Sequence, residues 1–489
     1  MSRKGALRWH NHAGNQTCYP RSIERPQTLE QLSELVRRAE REGTTIRAVG
    51  AGHAWSDVAL TNGLLVDPAR LGGPLLELDD GCLRPGAAGE PLARVLAGTH
   101  LRHANPALYD AGLALPNMGG YDAQTVAGVV STATHGSGLA FGSFSDLVRS
   151  LDMVVSGGEV VRVEPAGGMT DPLAFRARHG SDRRLIQDDD HFAAAACGMG
   201  CLGILHSVVL RVVPRYWLNE VRRVDTWEAV RGALTADGVL GGHEHYELFL
   251  NPYPGKDGTH RLLVTTRERT SDPARLPEDK RERHPLTELE SAFPGTWIVL
   301  RLAARFFPSL MAGRFDWLLN SMRDDGYAGR SYEVYNIGAA NRIPAFSSEL
   351  GVSLEGNRHL EAVDRILEIA RERRERERLY HTSPIALRFV APSPAYASMM
   401  YGRPTMMIEL IMGADTRGGY DLLAGYEERL ADLDVRPHWG QYNTLSAASD
   451  LRALYPRWED WLRVYDEFNA SGVFNSPFTD RIGISRPGP

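Results

Sequence analysis

The chain has 489 residues, of which 43% are hydrophobic and 24% are charged, and its formal net charge at pH 7 is -6. This length exceeds what one compact core usually holds, and the composition excludes a largely disordered chain. The acidic balance argues against a nucleic-acid-binding protein, which normally presents a basic face.

The first part of the chain, residues 1–214, alternates between predicted helices and short strands. Residues 27–43 have helical periodicity and end at a glycine, and residues 44–50 form a short buried strand. Further strands are expected in "GLLVDPARL" and "GCLRPGAAG", a helix in "EPLARVLAGTHL", and a hairpin around the Ser-Gly-Gly at 156–158. The segment "FAAAACGMGCLGILHSVVLRVVP" then runs from a helix through glycines into a strand. This alternation predicts an α+β domain.

A change of pattern after residue 214 marks a second predicted α+β domain, residues 215–439. Strands are expected in "RYWLNEVRRVDT", "EHYELFL", "RLLVTTRER", "IALRFV" and "TMMIELIMG", and a long helix in "RHLEAVDRILEIARERRERERL". Residues 268–286 are charged and contain proline, which predicts an exposed loop. The C-terminal segment, residues 440–489, is expected to consist of loops and helices.

Targeting and metal-binding signals are missing from the sequence. The N-terminal residues lack the apolar run of a secretory signal, and no stretch of about 18 apolar residues predicts a membrane-spanning helix. We therefore expect a cytoplasmic protein without a membrane partner. No group of His, Asp and Glu has the spacing of a metal site, so no metal is predicted. Nothing in the sequence indicates an oligomeric state.

The first candidate site is "RAVGAGHAWSDVAL", where a strand ends in Gly50, Ala51 and Gly52 and His53 follows. Glycines let backbone amides approach a phosphate closely. A dinucleotide-binding fingerprint would need a third glycine at position 55 and a helix opening there, but position 55 is tryptophan. The turn alone therefore fits either a phosphate site of another kind or a plain tight turn.

The second candidate site is "PNMGGYDAQTVAGVVSTATHGSGLAFGSFSD". It combines hydroxyl side chains with unhindered glycine amides, and a pyrophosphate needs many such donors. The alternative is a surface loop. The density of small residues favours tight packing against a flat group or against backbone.

Three separated segments resemble the aldonolactone oxidase and alditol oxidase branch of the vanillyl-alcohol-oxidase-type flavoproteins, which have a PCMH-type FAD-binding domain. They are "VGAGHAWSDVALTNGLLVD", "NMGGYDAQTVAGVVSTATHGSG", and "RPHWGQYNTL" with "FNASGVFNSPFTDRIG". Their order and spacing agree with the family over residues 1–214 and 380–489. The resemblance implies an α+β fold with a two-subdomain FAD-binding domain, an α+β substrate-binding cap domain, and a C-terminal tail that returns to the FAD-binding domain.

The resemblance also implies FAD as the cofactor. In many members the histidine that matches His53 is bonded covalently to the 8α-methyl carbon of the flavin, so we expect the same tether here. The cofactor-binding residues implied by the matching motifs are Gly50, Ala51, Gly52, His53, Ala54, Trp55, Gln124, Thr125, Gly128, Ser131, Thr132, Thr134, His135, Gly136, Gly138, Gly200, Ile204 and Asn475.

Polyol and lactone oxidases of this family carry a Glu-x-Arg pair in the cap and a lysine in a His-Trp-Gly-Lys segment. Here Arg388 is retained but Ala386 stands at the glutamate position, and Gln441 replaces the lysine after His438. We predict that Arg388 holds substrate or reduced-flavin charge and that His438 takes or shares the hydroxyl proton. Glu349 would orient a polar group, and with Gln441 these residues form the predicted catalytic set. Further candidates for the substrate site are Glu333, Tyr335, Asn336, Tyr396, Tyr401 and Arg403.

The resemblance therefore predicts an FAD-dependent oxidoreductase that oxidises an alcohol or hemiacetal of a sugar-like or natural-product substrate. Hydride would pass to flavin N5, and dioxygen would be reduced to hydrogen peroxide. Two alternatives stay open, namely a dehydrogenase with another electron acceptor and a flavin-bearing protein whose catalytic site has decayed. The changes at Ala386 and Gln441 point to a substrate other than a simple polyol.

Overall fold

A computed structural model describes residues 7–86, 89–235, 238–271, 295–338 and 343–488. The N-terminal strands are β1 (Trp9–His10), β2 (Thr17–Cys18), β3 (Ser22–Glu24), β4 (Ile46–Ala48), β5 (Leu64–Val66), β6 (Leu92–Leu96), β7 (Leu113–Ala114), β8 (Val148–Val154), β9 (Val160–Glu164), β10 (Arg183–Gln187), β11 (Ile204–Arg211) and β12 (Val213–Pro214). The helices of this part are α1 (Leu29–Arg41), α2 (Leu101–Asp110), α3 (Val126–Ser131), α4 (Phe144–Leu147), α5 (Pro172–His179) and α6 (Asp189–Ala195).

Two sheets organise this part of the chain. A three-stranded parallel sheet has the order β3-β5-β4, and a five-stranded sheet has the order β10-β9-β8-β11-β6. Thr28 caps the start of helix α1, since its side chain accepts the Gln31 amide, and the apolar stripe of the helix packs on the small sheet. The hairpin predicted at residues 156–158 joins the antiparallel strands β8 and β9, which confirms that prediction.

Two local predictions for this part are wrong. The segment "EPLARVLAGTHL" contains strand β6 rather than a helix, and its helix begins only at Leu101. Ala93 and Val95 are buried while their neighbours are half-buried, so the burial has the two-residue period of a strand that pairs with β11. The segment "GCLRPGAAG" begins inside a 3₁₀ turn, Asp80–Cys82, and its described residues form no strand.

The rest of the chain is built around one large sheet. Its strands are β13 (Trp217–Thr226), β14 (His245–Leu250), β15 (Arg261–Thr270), β16 (Asp324–Arg330), β17 (Ala345–Ser353), β18 (Ile385–Val390), β19 (Thr405–Gly413) and β20 (Arg436–Pro437). The accompanying helices are α7 (Trp227–Val230), α8 (Thr296–Phe306), α9 (Pro308–Ala312), α10 (Phe315–Ser321), α11 (Ser331–Tyr335), α12 (Arg358–Glu377), α13 (Gly419–Arg429), α14 (Leu451–Leu454), α15 (Trp458–Phe468) and α16 (Pro477–Arg481).

The large sheet is antiparallel throughout, with the strand order β16-β13-β15-β14-β18-β19-β17-β20. Side chains alternate between its two faces. One face carries Leu248, Leu387 and Ile408, and packs with α12 and α13 into an apolar core. The opposite face carries charged residues and turns toward the N-terminal part. The loop predicted at 268–286 lies largely outside the described residues, although β15 continues to Thr270.

The C-terminal segment returns to the N-terminal part, as the resemblance implies. The Ile46 amide donates to the Val473 carbonyl at 2.8 Å, and the Trp55 amide donates to the Gly440 carbonyl at 2.7 Å. Phe474 joins the apolar core beneath the small sheet. The division at residues 214 and 439 stays a prediction. Among the residues that the structure describes, no helix combines the length and apolar character needed to cross a bilayer.

Candidate active site

A cavity of about 670 Å³ lies between the glycine-rich loops and the charged face of the large sheet. Cavities of this size are typical of small-molecule and cofactor sites. Its lining joins backbone from the N-terminal part with side chains from the sheet, so one space brings the predicted cofactor loops and the predicted catalytic residues together.

The glycine turn and α3 form a close-packed cradle on one side of the cavity. A Cβ atom on Gly50 would lie 2.4 Å from the Thr125 hydroxyl oxygen, so any side chain there would push aside the threonine that caps α3. Gly52 has φ +71°, a conformation that favours glycine. The Thr125 hydroxyl accepts the Gly128 amide and caps α3. This bare backbone is the surface that a flat cofactor with a pyrophosphate requires, so the cradle fits FAD.

Arg47 holds a second turn beside the cradle. It is 1% exposed, and its guanidinium donates to the carbonyls of Val58, Met199 and Gly200. Met199 has φ +51°, which is costly for a residue with a side chain and is often found at functional turns. The buried Arg47 side chain therefore stabilises a strained loop that faces the cavity. Arg47 was not among the predicted site residues.

His53 projects into the cavity beside two aromatic neighbours. The Tyr121 hydroxyl lies 2.9 Å from His53 Nε2, and the His12 ring centre lies 4.4 Å from the His53 ring centre. Burial, together with the nearby His12, lowers the pKa of His53 to about 3. The ring is therefore neutral at physiological pH, which is the form in which an imidazole nitrogen is nucleophilic.

Two distant segments hold the loop that follows His53. Asn11 donates to the Ala54 carbonyl, and Asn15 donates to the Trp55 carbonyl, each at 2.9 Å. From the C-terminal side, the Ser56 hydroxyl donates to a carbonyl of the "HWGQ" segment, that of Trp439, at 2.5 Å. The position of His53 is thus set by both ends of the chain, which the local motif could not reveal.

The structure brings most of the predicted residues to the cavity. Those that line it are Gly50, Ala51, Gly52, His53, Ala54, Trp55, Gln124, Thr125, Gly128, Ser131, Thr132, Thr134, His135, Gly200, Ile204, Glu349, Arg388, His438 and Gln441.

Three predicted cofactor residues do not line the cavity and have other contacts. A Cβ atom on Gly136 would lie 2.5 Å from the Met118 carbonyl oxygen, so this glycine serves close packing. The Gly138 amide donates to the Phe389 carbonyl at 2.6 Å and joins its loop to β18. Asn475, expected near the flavin ring, instead accepts from the Tyr465 hydroxyl at 3.0 Å and stabilises the C-terminal tail.

A row of alternating charges crosses the polar face of the sheet. Its members, in order, are Arg222, Glu220, Arg267, Glu247, Arg388 and Glu409. Arg388 Nε donates to Glu247 Oε1 at 2.8 Å, and its Nη1 donates to Glu409 Oε2 at 2.6 Å. Burial alone would lower the pKa of Arg388, but the surrounding carboxylates raise it, so the guanidinium stays charged beside the cavity. This geometry supplies the cation that the sequence assigned to Arg388.

The row continues into a buried pair formed by His135 and Glu349. His135 Nδ1 lies 2.9 Å from the Gly136 carbonyl oxygen and must donate to it, while His135 Nε2 lies 3.3 Å from Glu349 Oε1. Without a further proton, the lone pair of His135 Nε2 would face a lone pair of Glu349 Oε1, so one of these two atoms must be protonated. Burial opposes charge on both groups, but their mutual attraction raises the pKa of His135 and holds the pKa of Glu349 well below its ordinary value. The pair is therefore an imidazolium and a carboxylate.

We expect this pair to make stability depend on pH. The raised pKa of His135 contributes stability below the unfolded-state value of about 6.5, and that contribution is lost as pH rises through the folded-state pKa. The lowered pKa of Glu349 contributes stability above about 4.3. Replacing Glu349 with glutamine should therefore lower the free energy of unfolding by about 3 kcal/mol near pH 6 and by less at pH 9. Denaturant unfolding at several pH values measures the difference.

Glu427 provides a matched control for this measurement. It is also buried, but it accepts the Thr444 amide instead of pairing with a cation, and burial raises its pKa. The Glu427→Gln variant should therefore show no loss that peaks near pH 6. A Glu349→Gln deficit that is constant from pH 5 to pH 9 would contradict the ion pair.

His438 and Gln441 occupy the same end of the cavity. The Gly440 amide donates to His438 Nδ1 at 3.0 Å, so the neutral ring carries its proton on Nε2. Burial lowers the pKa of His438 to about 4, which keeps the ring neutral. Of the two predicted roles of His438, taking the hydroxyl proton does not fit this geometry, because Nδ1 is already an acceptor and Nε2 can only donate to a substrate oxygen. Sharing that proton through a hydrogen bond stays a prediction. The Gln441 amide nitrogen lies 3.3 Å from Glu409 Oε1 and 3.5 Å from Glu349 Oε2, and bridges the two glutamates.

The remaining predicted candidates divide into two groups. Glu333 and Asn336 line the cavity. Tyr335 is buried and its hydroxyl lies 2.9 Å from His245 Nε2, outside the lining. The other candidates have structural partners: Tyr396 donates to Asp190, and Arg403 donates to the Asp434 carbonyl. Tyr401 packs its ring edge against Tyr396.

Sequence reasoning missed Glu247 and Glu409, which hold Arg388. Each is a single charged residue inside an apolar strand, in "YELFL" and "IELIM". A buried charge normally has a partner, so this pattern is a usable signal for a site. His12 and Tyr121, the neighbours of His53, had no such signal because their partner lies far away in sequence.

One group of potential metal ligands occurs among the described residues. Side-chain atoms of Asp79, Cys82 and His179 lie within 4.8 Å of one another, and none of the three lines the cavity. Asp79 already pairs with Arg178 at 2.7 Å and with Arg162 at 3.5 Å. These guanidiniums supply positive charge where a metal ion would otherwise stand.

Comparison with known families agrees with this architecture. Residues 208–482 match the D-arabinono-1,4-lactone oxidase family, and residues 20–164 match the FAD binding domain family. The chain is 30% identical over 476 residues to an L-gulono-1,4-lactone dehydrogenase of Mycobacterium tuberculosis (strain CDC 1551 / Oshkosh), covering 97% of this chain and 98% of the relative. It is 28% identical over 478 residues to an alditol oxidase of Streptomyces sp. (strain IKD472 / FERM P-14339), covering 96% and 97%.

Solved structures show the same fold. The crystal structure of cholesterol oxidase from B. sterolicum superposes with a TM-score of 0.74 at 15% sequence identity, covering 98% of this chain and 96% of that chain. At this identity the similarity establishes the vanillyl-alcohol-oxidase-type architecture, an FAD-binding part plus a substrate part with a large antiparallel sheet, and nothing about the substrate.

Proposed function

The chain belongs to the D-arabinono-1,4-lactone oxidase family of FAD-dependent oxidoreductases, and from that membership we propose that it oxidises a carbon-bound hydroxyl group of a lactone, alditol or related sugar derivative, with dioxygen as electron acceptor. The observation that carries this proposal is the single cavity in which a bare glycine cradle faces Arg388 and its carboxylates. Arg388 is a buried cation paired with carboxylates beside the cofactor cradle, and this arrangement favours a working site over one that has decayed.

Oxidation of an alcohol requires an acceptor for the hydroxyl proton. Both oxygens of Glu247 accept from arginines, at 2.8 and 3.1 Å, and Glu349 is paired with His135. Glu409 Oε2 is held by Arg388, but its Oε1 has only longer contacts, 3.3 Å from the Ser347 hydroxyl and 3.3 Å from the Gln441 amide. We therefore assign the proton to Glu409 Oε1.

The other polar residues at this end would bind and orient the substrate. His438 Nε2 would donate to a substrate oxygen. The Gln441 amide would hold Glu349 and Glu409 in place, because it lies between them and donates to both. Arg388 offers a fixed positive charge to a substrate oxygen that becomes negative as its proton leaves. When bound, FAD supplies the electron acceptor for the substrate carbon.

The cofactor tether is part of the same proposal. We propose that His53 bonds covalently to the flavin. Its neutral ring, its place in the lining and the Tyr121 hydroxyl at 2.9 Å support this assignment. With its single ring proton on Nε2, donated to the Tyr121 hydroxyl oxygen, His53 would keep the Nδ1 lone pair free to form the bond to the flavin.

An anaerobic flavin-bleaching screen tests the proposed function. The purified protein would be mixed without oxygen with aldonolactones, alditols, sugars and aminosugars, and the oxidised flavin absorption would be followed. We expect at least one hydroxylated substrate to bleach the flavin and air to restore it, with hydrogen peroxide released. Bleaching that reverses only with an added dye would identify a dehydrogenase, and no bleaching by any member of these classes would contradict the proposal.

A further inference from the structure

Most of the exposed large apolar side chains in the described residues lie in one stretch, residues 296–321. Seven side chains in α8, α9, α10 and their connections are between 52% and 66% exposed. They are Ile298, Val299, Leu302, Phe306, Phe307, Leu310 and Trp317. The other exposed large apolar residues of the described chain, such as Leu173 and Tyr19, are separated from one another in sequence. We call these seven residues the apolar crest.

The crest is the outer face of helices whose inner face is already occupied. In α8, Ile298, Leu302 and Phe306 follow one another at four-residue intervals and so share a face. Trp297 and Leu300, on the other side of the same helix, line the cavity. Helices α9 and α10 are divided in the same way. Met311, Leu318 and Leu319 line the cavity. Leu310 and Trp317 are exposed on the opposite, outer side. The crest is therefore not the side by which these helices pack on the protein.

Within residues 296–321 the charged side chains are mostly positive, although the chain as a whole has a net charge of -6. Residues 296–321 contain Arg301, Arg305 and Arg314 and one acidic residue, Asp316. Asp316 is drawn inward, where it accepts from the Asn251 amide at 2.8 Å. Arg301 pairs with Asp415, whereas Arg305 and Arg314 are exposed and pair with no acidic residue of the described chain.

We propose that the apolar crest docks on the surface of an anionic lipid membrane. Apolar side chains next to exposed arginines are the composition of helices that lie in the interface between lipid headgroups and acyl chains. Such a patch is larger than the isolated apolar residues normal on a soluble surface. A second copy of the chain fits less well, because a symmetric contact through the crest would offer Arg305 and Arg314 no carboxylate from residues 296–321 other than Asp316, which Asn251 already holds. Docking of this kind needs no membrane-spanning helix, and it revises the expectation that the protein has no membrane partner.

Vesicle flotation of the intact, flavin-loaded protein tests the proposal. The probes are vesicles of phosphatidylcholine alone and vesicles with an equal share of phosphatidylglycerol. We expect binding to the anionic vesicles, at least tenfold weaker binding to the neutral ones, and weakening by added salt. The Leu302→Glu/Phe306→Glu variant should lose at least tenfold in binding to anionic vesicles, because it places charge in the apolar face.

Two control variants make the result specific. Leu173→Glu changes an exposed leucine in α5, outside the crest, and should bind as the unmodified protein does. Arg305→Gln/Arg314→Gln should lose the preference for anionic lipid while keeping the apolar face. Unchanged thermal midpoints and flavin spectra would show that each variant is folded. Failure of the unmodified protein to float with anionic vesicles would overturn the proposal. A dimer that the Leu302→Glu/Phe306→Glu change converts to monomer would overturn it too, by assigning the crest to a second copy.

Discussion

Replacing Glu409 with glutamine should lower kcat by about 10² to 10⁴-fold, the contribution typical of a positioned proton acceptor. Glutamine can still accept from Arg388 through its amide oxygen, so the charged row keeps its geometry, but an amide cannot take the hydroxyl proton. The rate of anaerobic flavin bleaching, measured by rapid mixing, should fall by the same factor as kcat. The amount of bound flavin should not change.

The control for Glu409 is Glu164, a glutamate that is fully buried away from the cavity. It accepts from the Thr170 amide at 3.0 Å and does not line the cavity. The Glu164→Gln variant should therefore keep its bleaching rate. If Glu409→Gln bleaches within twofold of the unmodified protein, the proton is taken elsewhere, and the assignment to Glu409 Oε1 is wrong even though the protein is an FAD-dependent oxidoreductase.

Replacing His53 with alanine should abolish covalent flavin completely. The unmodified protein is expected to keep a fluorescent flavin band after denaturing electrophoresis, whereas His53→Ala should show none. The glycine cradle does not depend on the His53 ring, so the variant should still bind FAD and show a flavin spectrum before denaturation. Acid precipitation followed by flavin measurement in the supernatant gives the same comparison in quantitative form.

His12 is the matched control for His53. Its ring lies 4.4 Å away but carries no predicted bond to the flavin, so His12→Ala should retain the fluorescent band. Release of all flavin from the unmodified protein by acid would show that His53 only contacts the cofactor. That result would leave the oxidoreductase assignment intact, because family membership rests on the match over residues 208–482 and not on the tether.

Much of the fold could be predicted from local sequence patterns. Helix α1, the hairpin between β8 and β9, and the strands of the cap follow from periodicity and turn residues, and the structure confirms them. Strand β6 was mistaken for a helix because its short alternating pattern is decided by pairing with β11, a partner more than a hundred residues away. Short apolar segments of this kind do not specify their own state.

The candidate site, too, was predictable from the sequence only in part. By itself the sequence determined the glycine turn with His53, the small-residue cradle around Thr125 and the family to which these belong, because each depends on residues next to one another. Only the tertiary structure decided that Glu409 and Glu247 hold Arg388 and that Gly440 sets the proton on His438. The contacts of Arg388 arise because the strand order β14-β18-β19 places distant residues side by side. The bond from Gly440 to His438 joins residues two apart, but it depends on the shape of their loop, which the packing around it sets.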